Sequence, residues 1–250
     1  MTAPKEIALA AKRVTRVGCK SVLVVAAHPD DEVLGCGGTL ASLAASGDRN
    51  EIYVGILGEG ISSRYASREQ APRAALLWLK AQARAANTAW QARTVEFGGL
   101  PDNRFDDVPL LEIVKRVERW IEAWRPEVIY THHPGDLNID HSLTFRAVLT
   151  ATRPMAGAPV KDLYAFEVPS STEWAFRRIE PSFRPNVFVD ISKTIDVKVE
   201  ALQRYEEEVR VFPHPRSPEA LRALARRWGS AVGVPYAEAF ELIRSVRSRP

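Results

Sequence analysis

Hydrophobic and polar positions follow one another in blocks that read as strand, loop and helix in repeating order. Ser21 to Ala27 (Ser-Val-Leu-Val-Val-Ala-Ala) is small, partly β-branched and uncharged. That is the pattern of a strand buried on both faces of a parallel sheet. Val33 to Ala45 follows as a helix, ended by Gly47. Glu51 to Leu57 is a second strand, Ser67 to about Asn87 an Ala-rich helix, and Arg93 to Phe97 a short third strand. Pro109 opens the clearest helix. Leu110, Val114, Val117, Ile121 and Trp124 recur at spacings of four, three, four and three as one apolar stripe, and Arg125-Pro126 stops it. Glu127 to Thr131 is the next strand, and a helix runs on to about Thr152. Such alternation predicts βαβ units and an α/β fold with a doubly wound, mostly parallel sheet.

The last third changes character and predicts a C-terminal strand/helix appendage. Asp162 to Val168 and Asn186 to Ile191 read as strands, with Ser170-Ser171-Thr172-Glu173-Trp174 between them. Ser192 to about Glu208 reads as a helix with Ser192 as its cap. Phe212-Pro213-His214-Pro215-Arg216-Ser217-Pro218 is too rich in proline to be regular, and Pro218 to Trp228 and Tyr236 to Val246 read as two short helices. No internal repeat or linker interrupts the chain. The expectation is one domain over residues 1–250, with residues 1–20 as an N-terminal extension.

Composition narrows the class. A 250-residue chain with 46% hydrophobic and 26% charged residues is an ordinary globular sequence. A net charge of +3, without a basic run interleaved with aromatics, argues against nucleic acid as a partner. Cys19 and Cys36 make no disulfide framework or metal-type pair. The apolar patch Ile7 to Ala11 is broken at once by Lys12 and Arg13, too short for a signal peptide, and no stretch has the length of a membrane span. These features predict a cytoplasmic protein and leave a homo-oligomer open.

Chemistry concentrates where strands end. His28-Pro29-Asp30-Asp31-Glu32 stands directly behind the first strand, and His132-His133-Pro134-Gly135-Asp136-Leu137-Asn138-Ile139-Asp140-His141 behind the fourth. Parallel strands bring both loops to one sheet edge, where ligands bind in open α/β sheets. Two histidines and a carboxylate suffice for a catalytic Zn²⁺ that keeps a position for water, and an adjacent acid can serve as base. The same donor set also forms the facial triad of non-haem Fe(II) oxygenases. A sugar- or nucleotide-binding module without catalysis is the third alternative. Bland roles compete at each position. Asp30 or Asp31 can cap a helix, Glu32 can answer the helix dipole, His132 can pack beside its strand, and Asp140 can orient His141 or cap its helix. Gly35-Cys36-Gly37-Gly38 lacks the third glycine of a dinucleotide loop and fits close packing of helix on sheet.

Ala27-His28-Pro29-Asp30-Asp31-Glu32 with Gly35-Cys36-Gly37-Gly38, and the later His133 to His141, resemble the signature of the PIG-L/LmbE-like N-deacetylase family. The resemblance runs from about Ser21 to about Phe240. It implies a Rossmann-like fold and a hydrolase that uses Zn²⁺ or another divalent ion to remove an acyl group, foremost acetyl, from a small-molecule amino sugar or glycoconjugate. It implies His28, Asp31 and His141 as metal ligands and Asp30 as general base. Arg64, Asp102, Asn103 and Arg104 resemble substrate-binding positions. Family members often carry a further histidine three residues before the last ligand; this chain has Asn138. His133 and His214 are the candidates for that assisting role.

Overall fold

The computed structural model describes residues 20–48 and 50–247. The expected N-terminal extension, with Cys19 and the Ile7 to Ala11 patch, falls outside the described residues except for Lys20. The strands are β1 (Ser21–Ala26), β2 (Glu51–Gly58), β3 (Thr94–Leu100), β4 (Val128–His132), β5 (Asp162–Phe166), β6 (Val187–Asp190) and β7 (Ala237–Ser245). The helices are α1 (Asp31–Ala45), α2 (Arg73–Asn87), α3 (Leu110–Trp124), α4 (Ile139–Ala151), α5 (Ile195–Leu202) and α6 (Pro218–Val232). The strands form one seven-stranded sheet in the order β3-β2-β1-β4-β5-β7-β6. β1 to β5 pair parallel with their neighbours, whereas β7 runs antiparallel to both β5 and β6. The fold is α/β, doubly wound and mostly parallel.

Strand order reverses at β1. The chain moves outward through β2 and β3, then returns to lay β4 on the other side of β1. Val25 and Thr131 are register partners, so β1 and β4 end side by side and open the crevice expected at such a switch point. Alternate residues of β1 enter opposite layers, as the period of two requires. Val22, Val24 and Ala26 pack with Leu34, Leu40, Leu79 and Trp90. Leu23, Val25 and Ala27 pack with Val114, Val117, Ile121 and Val148. A strand covered by helices on both faces favours apolar side chains, which is why Val22 to Ala27 is one apolar run.

Four expectations are corrected. The segment Tyr236 to Val246 is a strand, β7, rather than a helix. It lies between β5 and β6, so both its edges are hydrogen-bonded, and that pairing overrides local propensity. The α2 helix starts at Arg73 rather than Ser67, because Ala71 precedes Pro72 and is held extended. Ser192 does not cap α5; its hydroxyl donates to Asp190 Oδ1 at 2.6 Å, and the helix begins at Ile195. At the other end α6 continues past Trp228 to Val232 and is stopped by Gly233, at φ +80°.

Two glycines of α1 mark where the helix meets the sheet most closely. A Cβ on Gly35 would overlap the Phe166 ring of β5, and one on Gly38 would come within 2.9 Å of Ile191 Cδ1. Gly37 faces only ordinary contacts, the nearest at 3.4 Å. Gly35→Ala should therefore cost about 1–3 kcal/mol in urea unfolding through overpacking. Gly37→Ala should be neutral or stabilising by up to about 1 kcal/mol. Equal effects of the two changes would contradict this packing.

Candidate metal centre

The β1–α1 turn delivers three acids and a histidine into the crevice. Asp30 stands at the N-cap of α1 with a left-handed backbone, φ 102°. It caps with its carbonyl, which accepts from Val33 N at 3.0 Å and Leu34 N at 2.9 Å, so its side chain makes no cap bond. That freed carboxylate instead accepts from Arg216 Nη1 at 2.7 Å on Oδ2. Its Oδ1 has no hydrogen bond among the described residues. Glu32 does more than face the helix dipole. Wholly buried, it accepts from Tyr205 Oη and from Asn87 Nδ2 on one oxygen and from Asp30 N at 3.1 Å on the other. These bonds fasten the turn to α2 and to the end of α5. Burial raises the Glu32 pKa to about 7, with the Tyr205 and Asn87 bonds opposing.

Asp31 is the hub. His28 Nδ1 and His141 Nε2 each lie 3.4 Å from its Oδ2. The outer nitrogen of each ring faces another carboxylate. His28 Nε2 is 2.9 Å from Asp140 Oδ2, and His141 Nδ1 is 3.2 Å from Asp136 Oδ1. Asp140 therefore orients His28, not His141 as its sequence position suggests. Asp136 orients His141 and is itself fixed by the hydroxyls of Ser171 and Thr172 and by Asn138 N. One nitrogen inward and one on a carboxylate is the arrangement that metal-binding histidines adopt. His132 packs in the layer behind. Its Nε2 accepts from Ala27 N at 2.8 Å, and its ring stacks on His141 at 4.0 Å.

The donor set fits a divalent ion. Ligand atoms of His28, Asp31 and His141 all lie within 4.8 Å of one another. The 3.4 Å spacings match the roughly 3.3 Å edge of a tetrahedron with bonds of about 2.0–2.1 Å. Asp31 Oδ1 is buried without a hydrogen-bond partner among the described residues, an orphan that a buried carboxylate oxygen seldom is. Electrostatics agree. Burial opposes protonation of His141, but Asp31 and Asp136 outweigh it and hold its pKa up at about 9. His28 is likewise raised, burial being outweighed by Asp140 and Asp31. Burial alone would raise Asp31; His141 and its neighbours bring it well below the usual carboxylate range. The carboxylates draw protons onto the imidazoles where a cation would otherwise sit.

The remaining expected residues spread around this cluster. Asp102 is buried, with Oδ1 3.3 Å from His28 Nε2 and Oδ2 accepting from Ser63 N at 3.1 Å. Asn103 is exposed and accepts from Asn138 Nδ2 at 2.9 Å. Asn138 itself caps α4, its Oδ1 accepting from Asp140 N at 2.9 Å. Arg104 turns outward onto Asp107, at 2.7 Å. Arg64 pairs with Glu207 at 2.9 Å and with buried Glu208. The structure does not bring His133 to the cluster: both ring nitrogens are engaged elsewhere, Nδ1 by Glu241 and Nε2 by Pro181 O, each at 2.7 Å. His214 is half-buried, with Nδ1 accepting from Arg216 N at 3.1 Å and Nε2 without a partner among the described residues. Burial and then Arg216 and Arg210 lower its pKa. Sequence reasoning passed over Arg216 and Glu208. Arg216 Nη1 reaches Asp30 and Glu208, at 2.7 and 3.0 Å, while Nε holds Ser170 Oγ at 2.8 Å. The only signal was the position of Arg216 two residues after His214.

Fold and site together define a Rossmann-like α/β protein with a buried histidine–aspartate cluster, able to hold a divalent ion, at its switch point. Residues 23–152, more than half of the chain, match the family described as PIG-L: GlcNAc-PI de-N-acetylase, and the chain belongs to that family. It is 28% identical over 195 residues to the uncharacterized deacetylase YaiS of Escherichia coli, covering 75% of this chain and 91% of that protein. It is 26% identical over 235 residues to the diacetylchitobiose deacetylase of Thermococcus kodakarensis, covering 91% and 84%. Among solved structures it resembles the 4-carboxy-2-hydroxymuconate hydratase GalB of Pseudomonas putida at 25% identity and a TM-score of 0.68, over 92% of this chain and 99% of that one. No helix among the described residues is long and apolar enough to cross a membrane.

In chelator-treated protein, histidine NMR should find His141 titrating near pH 9. A folded-state pKa raised above the ordinary imidazole value of 6.5 contributes stability that is full below about pH 6.5. That share is lost as the pH rises through about 9, so thermal melts of the stripped protein should fall across this window. A His141 titration at or below 6.5 would contradict the dominance of Asp31 and Asp136 over burial.

Proposed function

We propose that the chain is a Zn²⁺-dependent N-deacetylase that removes an acetyl group from an amino sugar or glycoconjugate. The observation that carries this reading is the convergence of His28, Asp31 and His141 beside a second buried carboxylate, Asp30, that is not needed as a ligand. Family membership and the likeness to a diacetylchitobiose deacetylase supply the reaction class. A cytoplasmic setting accords with a chain that has two cysteines in 250 residues.

Held by His28, Asp31 and His141, the ion would bring the pKa of a water toward about 7 and polarise the acyl carbonyl. Asp30 is the base that takes the proton from the attacking water. Burial raises its pKa well above the carboxylate norm, with the Arg216 guanidinium pulling the other way. This balance suits a group that accepts a proton and then returns it to the departing amine. Arg216 occupies one Asp30 oxygen and leaves Oδ1 to meet the water. Asn138 is committed to capping α4 and carries no acid role. His214 offers a neutral Nε2–H, since Nδ1 accepts from Arg216 N, and we assign it to donate to the developing oxyanion. His133, with both nitrogens engaged, receives no role. Arg64, Asp102 and Asn103 are assigned to the sugar, and Arg104 to the rim. A base beside the ligand set favours hydrolysis over the oxygenase and simple binding alternatives.

A second reading rests on the likeness to GalB. The same ligands and base could add water across a carbon–carbon double bond, a reaction that releases neither acetate nor amine.

The deciding experiment is an acetate-release screen over N-acetylated sugars and their conjugates, run beside absorbance assays on unsaturated hydroxy acids. Acetate release is expected, and turnover of the unsaturated acids alone would transfer the assignment to the hydratase reading. Asp30→Asn should keep the metal and lose about 10²–10⁴-fold in kcat. Asp31→Ala and His141→Ala should lose the metal by elemental analysis; full occupancy in both would overturn the ligand set. Asp140→Asn should weaken Zn²⁺ binding about 10–100-fold through the loosened His28 ring.

A further inference from the structure

We infer that His133, which takes no part in the chemistry, is a proton-held clasp: its doubly protonated ring fastens the connection between β5 and β6 beside the crevice, and loss of one proton at alkaline pH releases it. The clasp holds whichever reaction the crevice performs.

The connection leaves β5 after Phe166 and rejoins the sheet at Val187. Its near end is tied to the site. Ser171 and Thr172 donate to Asp136, Ser170 Oγ accepts from Arg216 Nε, and Trp174 stands edge-on to His214 with 5.7 Å between ring centres. Its middle, Phe176 to Glu180, is exposed, and Phe176 and Arg177 are both left-handed, at φ 48° and 56°. Bulky residues keep that conformation only where the chain is fixed on either side. The far end is fixed at His133. Pro181 O lies 2.7 Å from its Nε2 and Glu241 Oε2 2.7 Å from its Nδ1, while Glu241 Oε1 accepts from Arg184 N. Phe183 covers the ring edge-on, with 5.2 Å between ring centres. Gly135 makes room for the same crossing, since a Cβ there would stand 1.9 Å from Pro181 O.

The two acceptors decide the charge on the ring. A backbone carbonyl and a carboxylate only accept, so each ring nitrogen must carry a proton, and the wholly buried His133 is held as an imidazolium. Glu241 on β7 is the ionised group that faces it. Burial alone would raise the Glu241 pKa, and the bonds from His133 and Arg184 N bring it below the usual carboxylate value. His133 N donates to Phe166 O at 3.0 Å, so the backbone under the ring stays with the sheet. A neutral ring has a single N–H. The carboxylate, as the stronger acceptor, keeps it, and Pro181 O is left facing a lone pair. The far end then detaches while the near end stays on Asp136, and one wall of the crevice opens. The bond to Pro181 is full at low pH and is lost as the pH rises through the titration of His133.

The test is trypsin digestion of the full chain between about pH 6.5 and 9.5, read by mass spectrometry at Arg177 and Arg178, both exposed. Each rate is divided by that on a small arginine substrate at the same pH, which removes the protease's own profile. Opening releases one proton and cleavage follows the population of the open form, so the wild-type rate should climb by up to about tenfold per pH unit. His133→Gln has no proton to lose and should be cut fast at every pH. Glu241→Gln is the chemical control. Its amide oxygen still accepts from Arg184 N, while its amide N–H donates to Nδ1 of a neutral ring whose Nε2–H stays on Pro181 O. That variant should be cut slowly across the range. A flat wild-type profile overturns the clasp, and so does a profile of either variant that climbs like the wild type. Histidine NMR of the wild type decides the matter even if a variant fails to fold. Both His133 nitrogens should carry protons while cleavage is slow, and a neutral His133 in the slowly cut protein overturns the clasp.

Discussion

The structure depends on how negative charge is accommodated in one crevice. Asp30, Asp31, Asp102, Asp136 and Asp140 are all buried where β1 and β4 end. Unpaired, such a concentration would unfold the site, since a buried charge is tolerated only when paired and hydrogen-bonded. The fold answers with position and with partners. Asp31 and Asp140 fall in the first turns of α1 and α4, where free backbone N–H groups favour an anion. His28, His141 and Arg216 supply the cations and donors, and a divalent ion among His28, Asp31 and His141 would supply the rest. Strand order, helix starts and ligand geometry are thus one constraint seen at three scales.

Much of this was legible in the chain because it is written locally. The apolar runs of β1, β2 and β4 and the stripe of α3 follow from their own periodicity, and the two acidic clusters announce themselves within ten residues each. What stayed hidden depends on residues far apart in sequence. β7 is a strand because β5 and β6 flank it, and its buried Glu238, paired with Lys198 at 2.6 Å, disguises the pattern of a central strand. That Asp140 serves His28 rather than the neighbouring His141 is set by how two loops meet. Arg216 reaches Asp30 across 186 residues, and no spacing rule could show that. His133 misled for the opposite reason: it is close to His141 in sequence, but Glu241 and Pro181 turn it into the C-terminal part of the fold.

The C-terminal third is therefore part of the site and not an accessory to it. Glu208 accepts from both Arg64, in the loop behind β2, and Arg216, in the loop before α6. Tyr205 donates to Glu32, and Ser171 and Thr172 hold Asp136. Each half of the chain thus leaves its polar groups to be satisfied by the other, which ties the orientation of the Asp30 carboxylate and of the His141 ring to segments outside the two histidine–aspartate loops.

The place of β7 bears on how the protein can be made. Among the described residues β6 pairs only with β7, and β7 is the later of the two in the chain. During synthesis β6 must therefore wait, its backbone groups open, while the 46 residues between Asp190 and Ala237 emerge. At ordinary elongation rates that wait is on the order of seconds. The first five strands can assemble in order as they leave the ribosome, but the sheet closes only when its last strand slots between two that are already there. For a nascent chain, an unpaired strand edge is an invitation to the wrong neighbour, and here that exposure is built into the topology.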